Sequence, residues 1–370
     1  MIPEDPELRR ALEARSGELP PEFRARLSGS LDQRRPGAGS TQLIAVVAVI
    51  VLSVASIGIL LMSRGSGHVA QGPVRGTPSP TPIAMPTRVE ISAPSGDVVW
   101  AYVGAVALYR STDRGQTWEV RTLPVSQPGV WPEISFVDGQ EGWYSMSGSP
   151  ETQCNAQETG IWHTVDGGAT WQPLHTSGIN SPQCKQGLSF VDSTHGFLAA
   201  GDESRKPNIY RTSDGGRTWT GSTLPDPPGF VTQAGGFTLH AGSVRGFGSA
   251  LLVPAWGMNA AVNQLEGYVF RSTDGGANWN VVAKIPAPTT SIAIVTAERW
   301  LQLVEPERSS ETTDSGKTWH AYPTDYSQAA PVAPQTTFGD SLVGYATVRG
   351  SIQRTVDGGA HWVMIKTPGT

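Results

Sequence analysis

The string IYRTSDGGRTW sets a hydroxyl (Thr212), a carboxylate (Asp214), two glycines (Gly215, Gly216) and an indole (Trp219) within eight positions. Such a set can serve a catalytic turn, with the carboxylate as general base, or open an oxygen-ligand loop for a metal. The pattern S/T-x-D-x-G-x-x-W recurs from Ser111, Thr164, Ser272, Thr312 and Thr355. Its aspartates are Asp113, Asp166, Asp214, Asp274, Asp314 and Asp357, and its tryptophans Trp118, Trp171, Trp219, Trp279, Trp319 and Trp362. An active residue is needed once, so one that returns with the same neighbours each time is assigned to architecture. The chemistry of a turn also uses every part: aspartate and hydroxyl accept nearby amides, the glycines supply positive φ, and the indole covers the turn. Calcium is a poor fit, because the loops lack the further carboxylates that six to eight oxygen ligands require.

The aspartates lie 40 to 60 residues apart, a spacing of propeller or solenoid units. Ahead of most boxes stands a second motif, as in ISFVDGQEGWYSM from Ile134 and LSFVDSTHGFLAA from Leu188. It reads as strand, polar turn, and an aromatic opening another strand. Each unit therefore has four short antiparallel strands, with the box between the third and fourth. The expected fold is all-β: a six-bladed β-propeller of four-stranded antiparallel blades over residues 88–370, preceded by one transmembrane helix.

The box is that of the Asp-box, or bacterial neuraminidase repeat. With F-V-D…G-[WF] opening each unit, the arrangement resembles the propellers of the photosystem II assembly and stability factor family, and more distantly sortilin-type, sialidase and xyloglucanase propellers. The first resemblance implies a protein-binding or assembly module. Sialidases of this fold use three arginines, a Tyr/Glu nucleophile pair, an acid/base aspartate and an R-I-P near the propeller start. R-I-P is absent here, and the nearest string, KIP at Lys284, lies mid-chain. Arg110, Arg211, Arg271 and Arg354 precede boxes and so belong to the blades. The histidines lack ligand spacing, no G-x-S-x-G occurs, and no cofactor is called for.

Leu43 to Met62 is uncharged for 20 residues, long enough for a helix to cross the bilayer. Arg24, Arg26, Arg34 and Arg35 precede it, which places the N-terminus in the cytoplasm and the propeller outside the cytoplasm at the cell membrane. Residues 1–40 form a cytoplasmic tail with two short amphipathic helical patterns. The proline-rich stretch 63–87 is a semi-rigid spacer. A net charge of −5 gives no reason to expect a nucleic-acid partner.

Cys154 and Cys184 fall in the exported part and on one face, which predicts a disulfide. Loops between second and third strands are expected to be long in blades two, three and four. Trp256, Met258, Arg205 and Lys206 in those loops are the candidate partner-binding residues. The function expected is a non-catalytic, membrane-anchored protein-binding module. The alternatives are a glycan-binding or sialidase-like propeller and a sensor that signals to the tail.

Overall fold

The computed structural model describes residues 88–104, 107–125, 132–147, 158–179, 183–201, 209–232, 239–288, 292–304, 307–326, 335–348 and 350–369. The tail, the 43–62 segment, the spacer, Cys154, Arg205 and Lys206 lie outside these residues. Six sheets follow one another along the chain, each from a contiguous stretch. Blade one is β1 (Val89–Ser92), β2 (Val99–Val103), β3 (Ala107–Ser111) and β4 (Glu119–Arg121). Blade two is β5 (Pro132–Phe136), β6 (Gly142–Ser147), β7 (Thr159–Thr164) and β8 (Gln172–Leu174). Blade three is β9 (Cys184–Phe190), β10 (Gly196–Gly201), β11 (Ile209–Thr212) and β12 (Thr220–Ser222). Blade four is β13 (His240–Ala241), β14 (Arg245–Phe247), β15 (Ala250–Asn259), β16 (Gln264–Ser272) and β17 (Asn280–Ile285). Blade five is β18 (Ile292–Ile294), β19 (Trp300–Gln302), β20 (Ser310–Thr312) and β21 (His320–Ala321). Blade six is β22 (Thr336–Phe338), β23 (Gly344–Val348), β24 (Ser351–Thr355) and β25 (Val363–Ile365). The architecture is a six-bladed propeller of antiparallel blades.

Antiparallel order puts the first turn and the box of each blade at one end of the ring. Backbone bonds join the two, as in Gly167 N–H to Gln140 O (2.8 Å) and Gly215 N–H to Thr194 O (2.9 Å). The strand ends that lead from second to third strands, and from one blade to the next, lie opposite. Between blades the core is aromatic. Trp100, near the start of β2, and Trp143, the aromatic of the sequence motif in blade two, stack on Phe136 and Phe190 of the next blade, each pair with ring centroids 3.6 Å apart. Their indole N–H groups donate to Asp138 O and Gly215 O, again one blade on. These aromatics are wedges between blades as well as strand residues.

The ring closes without sharing a strand. Gln335 of blade six uses both ends of its amide on Ile91 of blade one, at 2.7 and 3.0 Å. Tyr345 OH donates to Gly96 O, and the Arg354 guanidinium to Arg114 O. Trp118 Nε1 donates to Lys366 O (3.0 Å), repeating across the seam the bond that Trp171 makes to Thr122 O of the preceding blade.

Blade four corrects one sequence expectation. The stretch VPAWGMNAAVNQLEG is not a long loop but a hairpin, β15 pairing with β16 over nine residue pairs from Leu251↔Ser272 to Asn259↔Gln264. Proline lacks the N–H that a central strand uses, so Pro254 must sit where that N–H is not needed. Here Val253 and Pro254 lie opposite the break between β13 and β14, where no residue is in register to receive that N–H.

Candidate functional site

Each box is a closed set of bonds. Thr212 Oγ1 donates to Asp214 Oδ1 (2.8 Å) and accepts the Gly216 N–H (3.0 Å). Asp214 Oδ1 accepts the N–H groups of Arg217 and Thr218, and Oδ2 the Thr218 hydroxyl at 2.6 Å. In the boxes of Asp274 and Asp357, the Asn278 amide and the His361 imidazole take the place of that last hydroxyl. The first left-handed position admits Arg114 (φ 64°) and Ser315 (φ 61°). The second is glycine each time, since a Cβ on Gly216 would crowd Leu174 and Phe190 at 3.2 and 3.3 Å.

All six box carboxyls are held at about 2. The Thr117 hydroxyl and then its N–H lower Asp113. Burial pushes Asp214 the other way, but the bonds from Thr218 and Thr212 outweigh it. Replacing Asp214 by alanine leaves these donors without their acceptor and is expected to lower stability by about 1–2 kcal/mol, read as a shift in denaturant midpoint.

The bore encloses a cavity of about 620 Å³ lined among others by Glu90, Glu133, Arg245, Trp256 and Gln335. Its polar groups brace blades. Glu133 of blade two accepts the Gly187 and Leu188 N–H groups of blade three at 2.7 and 2.9 Å. Ser92, Ser135 and Ser189 each accept an N–H from the next inner strand, those of Phe136, Phe190 and Val244. Blade five carries Ala293 on its inner strand, and Arg245 of blade four instead reaches Phe338 O and Thr337 Oγ1 of blade six. Trp256 is half-buried, in register with His240 and Gly267, and Met258 pairs with Leu265; both belong to the sheet rather than to a loop.

Burial, with Glu133 nearby, raises Glu90 to about 7 against an opposing pull from Arg88. The two kinds of carboxyl give opposite linkage. The depressed box aspartates contribute stability that is present above about pH 4 and lost as pH falls toward 2. Glu90, being raised, contributes stability that is full below about pH 4.5 and lost as pH rises to about 7. Thermal midpoints are therefore expected to peak near pH 5 and fall on both sides, and Glu90→Gln should reduce the fall between pH 5 and 7. A profile flat from pH 3 to 8 would refute this.

The second concave region lies on blade four, a pocket of about 450 Å³. Its floor is a polar network around Glu266, whose side chain is 9% exposed. Asn259 Nδ2 and Tyr268 OH donate to Glu266 Oε2 at 2.8 and 2.5 Å, and Lys284 Nζ to Oε1 at 2.5 Å. Asn259 also fixes the connecting segment, accepting from Val231 N–H and donating to Gly229 O. Around the pocket Val231, Val262 and Leu265 are exposed. No sequence motif marks these residues, which three strands and a connecting segment bring together.

These details bear on enzyme chemistry. Tyr268 and Glu266 are a tyrosine–glutamate pair, but burial and the adjacent carboxylate push the phenol upward and disfavour the phenolate. The cation bonded to Glu266 is a lysine. Of the pre-box arginines, Arg110 and Arg354 are spent on backbone carbonyls of neighbouring blades, Gly139 and Arg114. Among the described residues no group of three or more His, Cys, Asp or Glu could hold a metal ion.

The BNR/Asp-box repeat family matches residues 109–120, which run from β3 through the first box into β4. Residues 109–120 are thus similar to a BNR/Asp-box repeat. Among curated proteins, a xyloglucanase of Paenibacillus sp is 25% identical over 283 residues, covering 63% of this chain and 26% of its own length. The chain thus spans about a quarter of that relative. Among solved structures, YCF48 bound to D1 peptide aligns with a TM-score of 0.42 and 17% identity over 74% of this chain and 94% of that one. The Hadza microbial sialidase Hz136 aligns with a TM-score of 0.48 and 14% identity over 73% and 66%.

Proposed function

We propose that this Asp-box propeller is a non-catalytic protein-binding or assembly module, held outside the cytoplasm by the 43–62 segment, whose partner meets the face opposite the boxes. The carrying observation is the departure of blade four from the repeat. Its β15 and β16 have 10 and 9 residues, its outermost strand 6 where the others have 2 or 3, and its tip exposes Val262 and Leu265 beside the exposed Val231 of the connecting segment. Blades that only need to close a ring require no such extension, and exposed aliphatics on a rigid scaffold suit a protein partner. A photo-crosslinking residue at Val262 of the full chain in its native membrane should give one defined protein adduct. The same residue at Val165, in the second box, should give none. Equal adducts from both positions, or none from Val262, count against the reading.

In the same proposal Cys154 and Cys184 are disulfide-bonded and stiffen the blade-two side of this face. A linked peptide in a non-reduced digest checks it.

A glycan-active propeller is the second reading. It is favoured by the two carboxyls that face the bore, Glu90 and Glu133, together with the xyloglucanase relative. Against it, both oxygens of Glu133 already accept backbone N–H groups. Turnover of xyloglucan or sialosides that is lost in Glu90→Gln would replace the binding-module reading.

A further inference from the structure

Resting on the protein-binding reading, we propose that the blade-four pocket receives an apolar side chain of an extended partner segment whose neighbouring carboxylate pairs with Lys284. The charge pattern selects the sign of the partner. Glu266 is buried and already accepts three hydrogen bonds, one from Lys284, so it offers nothing outward to a cation. Lys284 is the reverse case. Its side chain is 60% exposed at the pocket rim, over the Tyr268 ring at 6.0 Å, and only one of its three N–H donors is taken up by Glu266. A carboxylate can reach the other two without displacing Glu266.

The walls select the rest of the occupant. Pro228, Val262, Val281, Val282 and Ala283 make them apolar, and the volume is within the range of small-ligand sites. The site is preformed, since Asn259 ties the 229–231 segment to the hairpin through Gly229 O, Val231 N–H and Ala261 N–H. The exposed aliphatics continue past the pocket along the hairpin tip, which suits flanking side chains of a peptide better than a single acyl chain.

The test uses the full chain with labelled valine and leucine methyls and three probes: Ac-Ala-Leu-Glu-Ala-NH2, its Gln-for-Glu counterpart, and laurate. The Leu-Glu peptide should shift the Val262, Val281 and Val282 methyls saturably. An exposed ion pair typically changes affinity by up to about five-fold, so the Gln peptide, or Lys284→Gln, should bind about five-fold more weakly. Because Lys284→Gln also unpairs Glu266, Val262→Asp is the second variant: it lies at an exposed position and should weaken the Leu-Glu peptide at least ten-fold with an unchanged melting temperature. No shift at these methyls, or equal affinity for both peptides, overturns the proposal, and saturation by laurate alone overturns it in favour of a lipid. A protein adduct formed from Val262 while the peptides fail removes the pocket's chemistry and leaves the protein-binding reading standing.

Discussion

Trp143→Ala is expected to lower stability by about 3–5 kcal/mol, the range for removing a fully buried large aromatic. Trp143 is inaccessible to solvent, lies between His163 and Phe190 with ring centroids 4.6 and 3.6 Å away, and donates to Gly215 O in the box of blade three. Its loss opens a cavity between two blades and leaves a buried carbonyl without its donor. At about 2–4 °C per kcal/mol for a domain of this size, the melting temperature should fall by roughly 10 °C or more. Trp143→Phe keeps a stacking ring but loses the hydrogen bond and part of the buried ring volume, so a smaller loss of about 2 kcal/mol is expected. Equal losses in the two variants would mean that stacking on Phe190 contributes little.

Gly339→Ala attacks the seam. Any Cβ at Gly339 would overlap the Ser95 carbonyl group and the Gly96 amide of blade one, and both sides of that clash are backbone. The blades must separate locally, and the neighbouring bonds from Tyr345 to Gly96 and from Gln335 Nε2 to Ile91 O lie in the path of that shift. A loss of about 3 kcal/mol is expected, near the upper end for overpacking. Hydrogen exchange should rise first in β1 and β22 rather than in blade three. Gly139→Ala is the control: a Cβ there meets only Val98 Cγ1, at 3.9 Å, and stability should stay close to that of the parent. Uniform exchange in Gly339→Ala would mean that the ring opens as a whole and has no privileged seam.

The two predictions separate what can be read locally from what cannot. The box is legible from one short string because the bonds of Asp214 and Thr212 run between Thr212 and Thr218, within seven residues. The aromatic opening each second strand was visible as a pattern, yet its job was not. Nothing local to Trp143 indicates Phe190 or Gly215. The hairpin of blade four is likewise not local information, since Pro254 is accommodated in β15 opposite the gap between β13 and β14.

The sequence by itself therefore determined the number of units, their strand order and the turn chemistry of each, because those depend on residue types at fixed short spacings. Tertiary structure alone decided the rest. Ring closure joins Trp118 to Lys366 and Gln335 to Ile91, about 250 residues apart, and the bore gathers Glu90, Glu133 and Arg245 from three blades. The Glu266 network depends on the register of the β15–β16 hairpin. Spacing along the chain carries information about turns and strands, whereas the burial of Glu266, the exposure of Lys284 and the partners of each indole exist only once the blades have packed.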